Sequence, residues 1–211
     1  MRIGIVTDIH DEVAKLAAAL SELQKRGVDA IVSLGDTSDL HGKCEDIAGV
    51  ASALRSFGAI GVWGNHDYGL CRDISEETRL RFPAEVLEYM ATMRPRLELG
   101  GCHFTHVEPW LDTENIEDLW CIEGDPEDPE RLEKSFAAVQ QRALFIGHFH
   151  RWTAISDKGK LEWNGGTRLT FEPDRRYLVI VGPLFRGDFA IIDTDQWILE
   201  PISLSAEECS P

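Results

Sequence analysis

The hydrophobic positions of this chain fall into short runs that stop abruptly on polar residues. "RIGIV", residues 2–6, has the length of a buried strand and ends at "TDIHDE". In the next segment Val13, Leu16, Leu20 and Leu23 recur at helical spacing, with Asp11 placed as N-cap and Gly27 just past the end. "DAIVSLGD" predicts a second strand, "CEDIAGVASALRSFG" a second helix closing at Gly58, and "AIGVWGNHD" a third strand. Strands alternating with helices in this way imply parallel pairing through right-handed crossovers. Further on, residues 75–93 read as helical with a break at Pro83, and "GCHFTH" as a short strand. "DPERLEKSFAAVQQ" reads as a helix with Asp128 as N-cap and Pro129 at the first helical position. "ALFIGHFH" is another strand.

After residue 150 the pattern changes. "WTAIS", "KLEWN", "RLTF", "YLVIVG", "DFAIID" and "WILEPI" are short runs separated by Gly, Asp and Pro, and they predict strands, several of them in hairpins. The expected architecture is a layered α/β domain with one mixed sheet and a second, more antiparallel one. A length of 211 residues suits a single domain over 1–211, with residues 68–101 as a candidate small cap.

Composition narrows the class. The longest apolar stretch, in "YLVIVGPLF", is far too short to span a bilayer, and the N-terminus lacks the pattern of a signal peptide. Both point to a cytoplasmic protein without a membrane partner. The five cysteines, Cys44, Cys71, Cys102, Cys121 and Cys209, are scattered and never form a CxxC pair, so they read as reduced, structural thiols. The formal net charge is −16, and ten acidic residues lie between Glu108 and Glu130, a span without Lys or Arg. This local acidic lobe is expected to be a solvated loop. It disfavours extended nucleic-acid binding, which needs a basic footprint.

Five apolar runs end in groups of metal-ligand type. "IGIV" leads to Asp8 and His10, "IVSL" to Asp36, "IGVW" to Asn65, His66 and Asp67, "CHFT" to His106, and "LFI" to His148 and His150. Sites in open α/β sheets lie beyond the carboxyl ends of strands. If these strands share one sheet, the groups converge on one edge. Asp8/His10 and His148/His150 have i, i+2 spacing, which in an extended segment directs both side chains of a pair the same way. Gly35, Gly64 and Gly147 allow tight exits from the sheet. A single Asp or His after a strand is ordinary turn chemistry; the series of five is not. His103, inside its strand, reads as packing, and His41 as a solvated loop residue. Trp110 and Trp63 are candidates for stacking on a base, with core packing the better reading for Trp63.

The series "DIH", "GDTSD", "GNHD", "TH" and "GHFH" resembles the calcineurin-like metallophosphoesterase superfamily, and most closely its small prokaryotic phosphodiesterase and dinucleoside-tetraphosphatase-like branch. The resemblance implies a four-layer αββα sandwich, with two mostly mixed sheets flanked by helices and the site at the C-terminal ends of the strands. It also implies two divalent metal ions, Mn or Fe, with Zn or Ni as alternatives. Asp8, His10, Asp36 and His150 would bind one ion. Asp36, Asn65, His106 and His148 would bind the other, with Asp36 bridging. His66 would stand beside the substrate as general acid or phosphate contact, and Asp39 would orient it. Asn65 and His66 would contact the substrate. Apart from the resemblance, Arg186 and Arg168, in the late strands, are candidate phosphate contacts, with a surface arginine of no such role the better reading for each.

Imidazole and carboxylate suit such ions better than a soft thiolate set. Two ions sharing a carboxylate and a hydroxide generate a nucleophile near neutral pH and offset charge on the phosphoryl oxygens. The implied function is dinuclear, metal-dependent hydrolysis of a small phosphoester. Leu40 stands where protein Ser/Thr phosphatases of the superfamily carry arginine, which argues against that activity. The alternatives are a noncatalytic scaffold of the same fold and a nuclease acting on short strands. The complete ligand set speaks against the first and the acidic lobe against the second. The sequence does not set the oligomeric state.

Overall fold

The computed structural model describes residues 1–39 and 46–205. Leu40, His41, Cys44 and Cys209 lie outside the described residues. In chain order the elements are β1 (Arg2–Val6), α1 (Val13–Lys25), β2 (Ala30–Ser33), α2 (Ile47–Ser56), β3 (Ile60–Gly61), α3 (Tyr68–Cys71), α4 (Glu76–Arg81), α5 (Ala84–Met90), β4 (Leu97–Leu99) and β5 (Cys102–Phe104). Then follow α6 (Ile116–Leu119), α7 (Pro129–Ala138), β6 (Ala143–Ile146), β7 (Thr153–Ser156), β8 (Gly159–Lys160), β9 (Leu169–Thr170), β10 (Tyr177–Ile180), a 3-10 turn (Leu184–Arg186), β11 (Asp188–Asp193) and β12 (Ile198–Ser203).

The expected helices form where the apolar spacing places them. Leu16, Ala19, Leu20 and Leu23 are the buried face of α1, and Ile47, Val50, Ala51 and Leu54 that of α2. The helical stretch 75–93 splits into α4 and α5 at Phe82 and Pro83, both extended. Asp128 precedes α7 in extended backbone and Pro129 opens it, as the sequence predicts. Asp11 is a correction. Glu12 occupies the N-cap position of α1, and Asp11 sits at φ +64° with its Oδ2 accepting the Asp39 N–H at 3.3 Å. A group engaged by a loop 28 residues away is not capping its own helix.

Two six-stranded sheets organise the molecule, in the orders β3-β2-β1-β11-β12-β9 and β4-β5-β6-β10-β7-β8. Both are mixed. In the first, β1, β2 and β3 are parallel and β11, β12 and β9 antiparallel; in the second, β5, β6 and β10 are parallel and β4, β7 and β8 antiparallel. The strands after residue 150 therefore do not build a separate antiparallel sheet. They are dealt out to both, because β10 pairs with β6 and β11 with β1.

Strand alternation explains the layering. Ile3 and Ile5 of β1, Phe145 of β6, Tyr177 and Val179 of β10, and Ala190 and Ile192 of β11 meet in one core between the sheets. Their neighbours Val6, Phe189 and Ile191 face α1, α2 and α5 on one outside. Leu144, Ile146, Leu178 and Ile180 face Leu132 of α7 on the other. Three apolar layers between four layers of secondary structure, two of helices and two sheets, give the αββα sandwich. Within the central layer the rings of Phe104 and Phe145 stack at 5.4 Å. Removing either would cost about 3–5 kcal/mol through lost transfer energy and the cavity left behind. Of residues 68–101, α5 enters the helical layer through Val86, Leu87, Tyr89 and Met90, whereas α4 buries no side chain.

Candidate metal centre

The motif strands belong to two sheets, not one. β1, β2 and β3 bring Asp8, His10, Asp36, Asn65 and His66, while β5 and β6 bring His106, His148 and His150. The two sheets end side by side, and the ligand-type groups meet across their junction. The alternation argument for the i, i+2 pairs does not hold. β1 stops at Val6 and β6 at Ile146, and Asp8, His10, Asp36, His148 and His150 all have φ between +47° and +66°. Left-handed turns, not extended chain, aim these side chains together. Each such non-glycine residue costs roughly 1 kcal/mol or more of backbone strain, which marks functional sites.

The loops are locked by their own backbones. Asp8 N–H donates to Gly35 O at 3.0 Å, Ile9 and His10 N–H both donate to Asp36 O at 2.8 and 3.1 Å, and Gly147 N–H donates to His106 O at 3.0 Å. The crossing is so close that a Cβ at Gly64 would overlap Asp36 Oδ1, and one at Gly147 would overlap Thr7 Oγ1. Glycine is required at both.

Two clusters result. Ligand atoms of Asp8, His10, Asp36 and His150 lie within 4.8 Å of one another, and so do those of Asp36, His106 and His148. Asp36 is common to both. In the first cluster His150 Nε2 is 3.2 Å from Asp8 Oδ1 and 3.3 Å from His10 Nε2. In the second, His106 Nε2 is 3.3 Å from Asp36 Oδ2 and 3.0 Å from Asn65 Oδ1, and Asn65 Oδ1 is 3.1 Å from His148 Nδ1. All seven residues predicted as ligands are in these two nests.

The donor set fits metal ions. Leu34 O can only accept, so His106 Nδ1, 2.7 Å away, donates to it, and Nε2 is turned toward Asp36 and Asn65. In the neutral ring the Nε2 lone pair and the two oxygens converge on one point, where a cation would be held. His148 Nε2 is buried without a hydrogen-bond partner among the described residues. The carboxylates dominate the electrostatics of His106. Burial works against charge on His106, but Asp36 and then Asp8 outweigh it and lift its imidazolium to about 9. Burial would likewise raise Asp36, yet the imidazoles of His106, His66 and His10 hold its carboxyl well below the usual range. Burial and the proximity of His106 press His148 down to about 4. Burial lowers His10 as well, against the pull of Asp36 and Asp8. His10 and His148 are thereby held toward the neutral form that binds a metal, whereas His106, lifted to about 9, carries a second proton at neutral pH that a metal ion would displace.

His66 stands over the shared carboxylate. Its N–H donates to Asp36 Oδ1 at 3.0 Å, its ring meets His10 edge-on at 5.0 Å, and its Nδ1 is 3.6 Å from Asp39 Oδ1. An open cleft of about 410 Å³, lined by His10, Glu12, Asp39, His66, His150 and Phe185, lies in front of these groups. Arg186 is exposed at its margin, donating to His150 O at 3.2 Å and stacking on Phe185 at 5.2 Å. Arg168 is elsewhere. It pairs with Glu200 at 3.0 Å beside Arg2 at the start of β1, so it is no candidate for this site.

Four residues near the site carry weight that the sequence did not reveal. Asp67, the last of "GNHD", is fully buried. It accepts from the N–H groups of Thr37, Ser38 and Gly64 at 3.0–3.2 Å and from Thr37 Oγ1 at 2.6 Å, tying the "GD" loop to the "GNHD" loop. Burial pushes its carboxyl up and Asp36 adds to this, while these donors oppose it. Thr7 donates to Asp8 Oδ2 at 2.8 Å. Phe185 packs its ring edge-on to His10 and His150 at 5.6 and 5.0 Å. Trp120, from the acidic segment, lies 5.0 Å from the His66 ring at 51°. The two tryptophans considered for stacking have other duties. Trp63 donates to Thr113 O within the core, and Trp110 is held by Arg131 and Lys134 of α7 at 5.3 and 5.1 Å.

The acidic lobe is also more than a solvated loop. Glu108 is fully buried in a bidentate pair with Arg131, Arg151 binds Asp125 at 2.7 Å, and Lys160 binds Glu127 at 2.7 Å. These ties hold the lobe against the sandwich, with Trp120 against the ring of His66. His103 matches its expected packing role: it is 2% exposed, and burial lowers its imidazolium to about 4. No helix among the described residues is long and apolar enough to cross a membrane.

Comparison with known proteins agrees with this geometry. The chain is 26% identical over 188 residues to an uncharacterized protein of Methanocaldococcus jannaschii, covering 85% of this chain and 74% of that protein. Its fold is similar to that of a metallophosphoesterase from Sphaerobacter thermophilus, with a TM-score of 0.76 at 23% identity over 97% of this chain and 89% of that one. It is also similar to a novel archaeal phosphodiesterase, with a TM-score of 0.55 at 18% identity over 97% of this chain and 100% of that one. The family model of the calcineurin-like phosphoesterase superfamily domain matches residues 1–181. With that match spanning most of its length, the chain belongs to the calcineurin-like phosphoesterase superfamily, hydrolases that act on phosphoester bonds.

Proposed function

We propose that this protein hydrolyses small phosphoesters at a dinuclear centre of Mn or Fe, with Zn or Ni as alternatives. The observation that carries the reading is Asp36, one carboxylate shared by two nests of ligand atoms. Asp8, His10, Asp36 and His150 would hold the first ion; Asp36, Asn65, His106 and His148 the second. When bound, the ions supply an activated water and positive charge facing the phosphoryl oxygens.

The chain supplies the rest. The Asp36 carboxylate fixes the His66 loop by accepting its N–H at 3.0 Å. Asp39 sits 3.6 Å from Nδ1 of His66 and orients the ring so that Nε2 can serve the departing oxygen. In hydrolysis a hydroxide oxygen bonds to phosphorus, the bond from phosphorus to the leaving oxygen breaks, and that oxygen takes the His66 proton. Asn65 and Arg186 would contact the phosphate. Because β1 and β11, from opposite ends of the chain, are neighbours in one sheet, we take residues 1–211 to work as a single domain. The thiols of Cys71, Cys102 and Cys121 are unpaired, consistent with a reducing cytoplasm.

Metal content together with turnover of bis(p-nitrophenyl) phosphate tests the reading. Wild type is expected to bind two ions per chain and to turn over. Asp36→Ala is expected to fold, to lose metal and to lose activity. A folded Asp36→Ala variant with full activity would refute it, and a wild type that binds metal without turnover would favour a scaffold.

A further inference from the structure

His103 fits its strand but leaves its ring unsatisfied. The residue is 2% exposed, yet neither Nδ1 nor Nε2 has a hydrogen-bond partner among the described residues. Glu98 Oε1 stands 3.9 Å from Nδ1, beyond hydrogen-bond range. Buried donors and acceptors are nearly always paired, so a ring empty at both nitrogens calls for an occupant beside it. There is room for one. An open cleft of about 400 Å³ is lined by Arg96, Glu98, His103, Gln140 and Gln141. It shares no described residue with the cleft in front of the metal ligands.

The charges around the ring are the second observation. Leu97 and Leu99 of β4 pack against the core between the sheets, so alternation puts Arg96 and Glu98 on the outer face. Glu98 and His103 are direct partners across the β4–β5 ladder. Arg96 donates one N–H to Leu111 O at 2.7 Å, which fixes its head. The opposite wall is the end of α7, fixed by Arg176, which donates to the carbonyls of Phe136, Val139 and Gln141. Burial, and after it Arg96, keep the imidazole neutral, so it offers one N–H and one lone pair. A plain cation in this cleft would meet the Arg96 guanidinium, and a plain anion the Glu98 carboxylate. A small molecule with both charges meets a partner for each.

We propose that this cleft is a binding site for a free α-amino acid, held by Arg96, Glu98 and His103. The ammonium lies between Glu98 and Nδ1 of His103, donating to both. The carboxylate accepts from the Nε2–H of the same ring and from the Arg96 guanidinium. Both nitrogens lie on one edge of the imidazole, so a single compact zwitterion satisfies the pair. The amides of Gln140 and Gln141, on the opposite wall, face its side chain. The site stands apart from the metal centre and does not depend on the phosphoesterase reading.

The test titrates the metal-loaded full chain with each proteinogenic L-amino acid at millimolar concentration, read by calorimetry and by nitrogen NMR of the His103 ring. At least one amino acid is expected to saturate one site per chain and to shift both ring nitrogens. Its N-acetyl derivative and its methyl ester each lose one charged partner and bind weaker by roughly tenfold or more. The penalty for the N-acetyl derivative falls to near one in Glu98→Gln, and that for the methyl ester to near one in Arg96→Met. Glu98 is an exposed side chain, so Glu98→Gln keeps the fold even where Arg96→Met does not. Absence of saturable binding by wild type leaves the cleft to water and overturns the inference, as does equal binding of the amino acid and both derivatives. Amino acids also chelate metal ions. Binding that leaves the His103 nitrogens unshifted and persists in His103→Phe therefore lies at the metal centre, and it overturns the inference too.

Discussion

The Nε2 atoms of His10 and His150 stand 3.3 Å apart, one delivered by the first sheet and the other by the second. Two imidazoles at that distance cannot both carry a proton without strong repulsion, and a shared cation between them would join the ends of the sheets. Metal at a hundredfold excess over its dissociation constant stabilises the native state by about 2.7 kcal/mol. For a chain of this size that is a rise in Tm of about 5–10 °C. Thermal unfolding with Mn, Fe or Zn against chelator-treated protein measures it. The rise should be absent in Asp36→Asn; an equal rise in that variant would place the ion elsewhere.

His66 and the ligands are separable. His66→Ala should lower kcat on a phosphodiester by about 10²–10⁴-fold, the usual worth of a positioned general acid. It should leave the metal content at its wild-type value. Loss of metal together with activity would make His66 a ligand instead.

Asp67 holds two loops with one buried carboxylate. Asp67→Ala would strand the N–H groups of Thr37, Ser38 and Gly64, with a cost on the order of 3 kcal/mol from donors left without partners. Urea unfolding of chelator-treated protein isolates this from any metal effect. A change under 1 kcal/mol would mean that water replaces the carboxylate.

The Glu108–Arg131 pair fastens the acidic lobe. Glu108→Ala leaves the Arg131 guanidinium largely buried without its carboxylate, a loss of about 3 kcal/mol. Limited proteolysis should then cut within residues 108–130 faster than in wild type. Unaltered cleavage would show that Arg151 and Lys160 suffice to hold the lobe.

His103 gives a pH dependence remote from the metal nests. Its imidazolium is lowered to about 4 in the fold, against about 6.5 for an unfolded histidine. The unfolded chain therefore binds the extra proton. The stability present above pH 6.5 is lost as pH falls toward 4, by about 3 kcal/mol. His103→Phe should flatten that part of the stability profile, read as the wild-type-minus-variant difference in urea unfolding at pH 7 and pH 4.5. A constant difference would rule the titration out.

Much of this protein was written into its local pattern. Leu16, Leu20 and Leu23 determined the buried face of α1, and the alternation in "ALFI" and "YLVI" determined which residues look inward and which outward. The ligand set was legible for a related reason: Asp8, Asp36, Asn65, His106 and His148 each follow a short apolar run, and a strand end is a local feature. Long-range pairing was not local. Only the tertiary structure decided that β10 joins β6 while β11 joins β1, so that the late strands complete both sheets and the ligand groups meet at a junction of two sheets. It also decided how the side chains converge. The left-handed turns at Asp8 and His10 are strained conformations that no propensity favours, and they persist because backbone hydrogen bonds to the neighbouring loop hold them. Asp11, a cap by its spacing, was drawn instead to Asp39. Trp120 sits in a run of acidic residues with no periodicity to mark it. Its place beside His66 is set by a buried ion pair between Glu108 and Arg131, 23 residues apart, which no local pattern encodes.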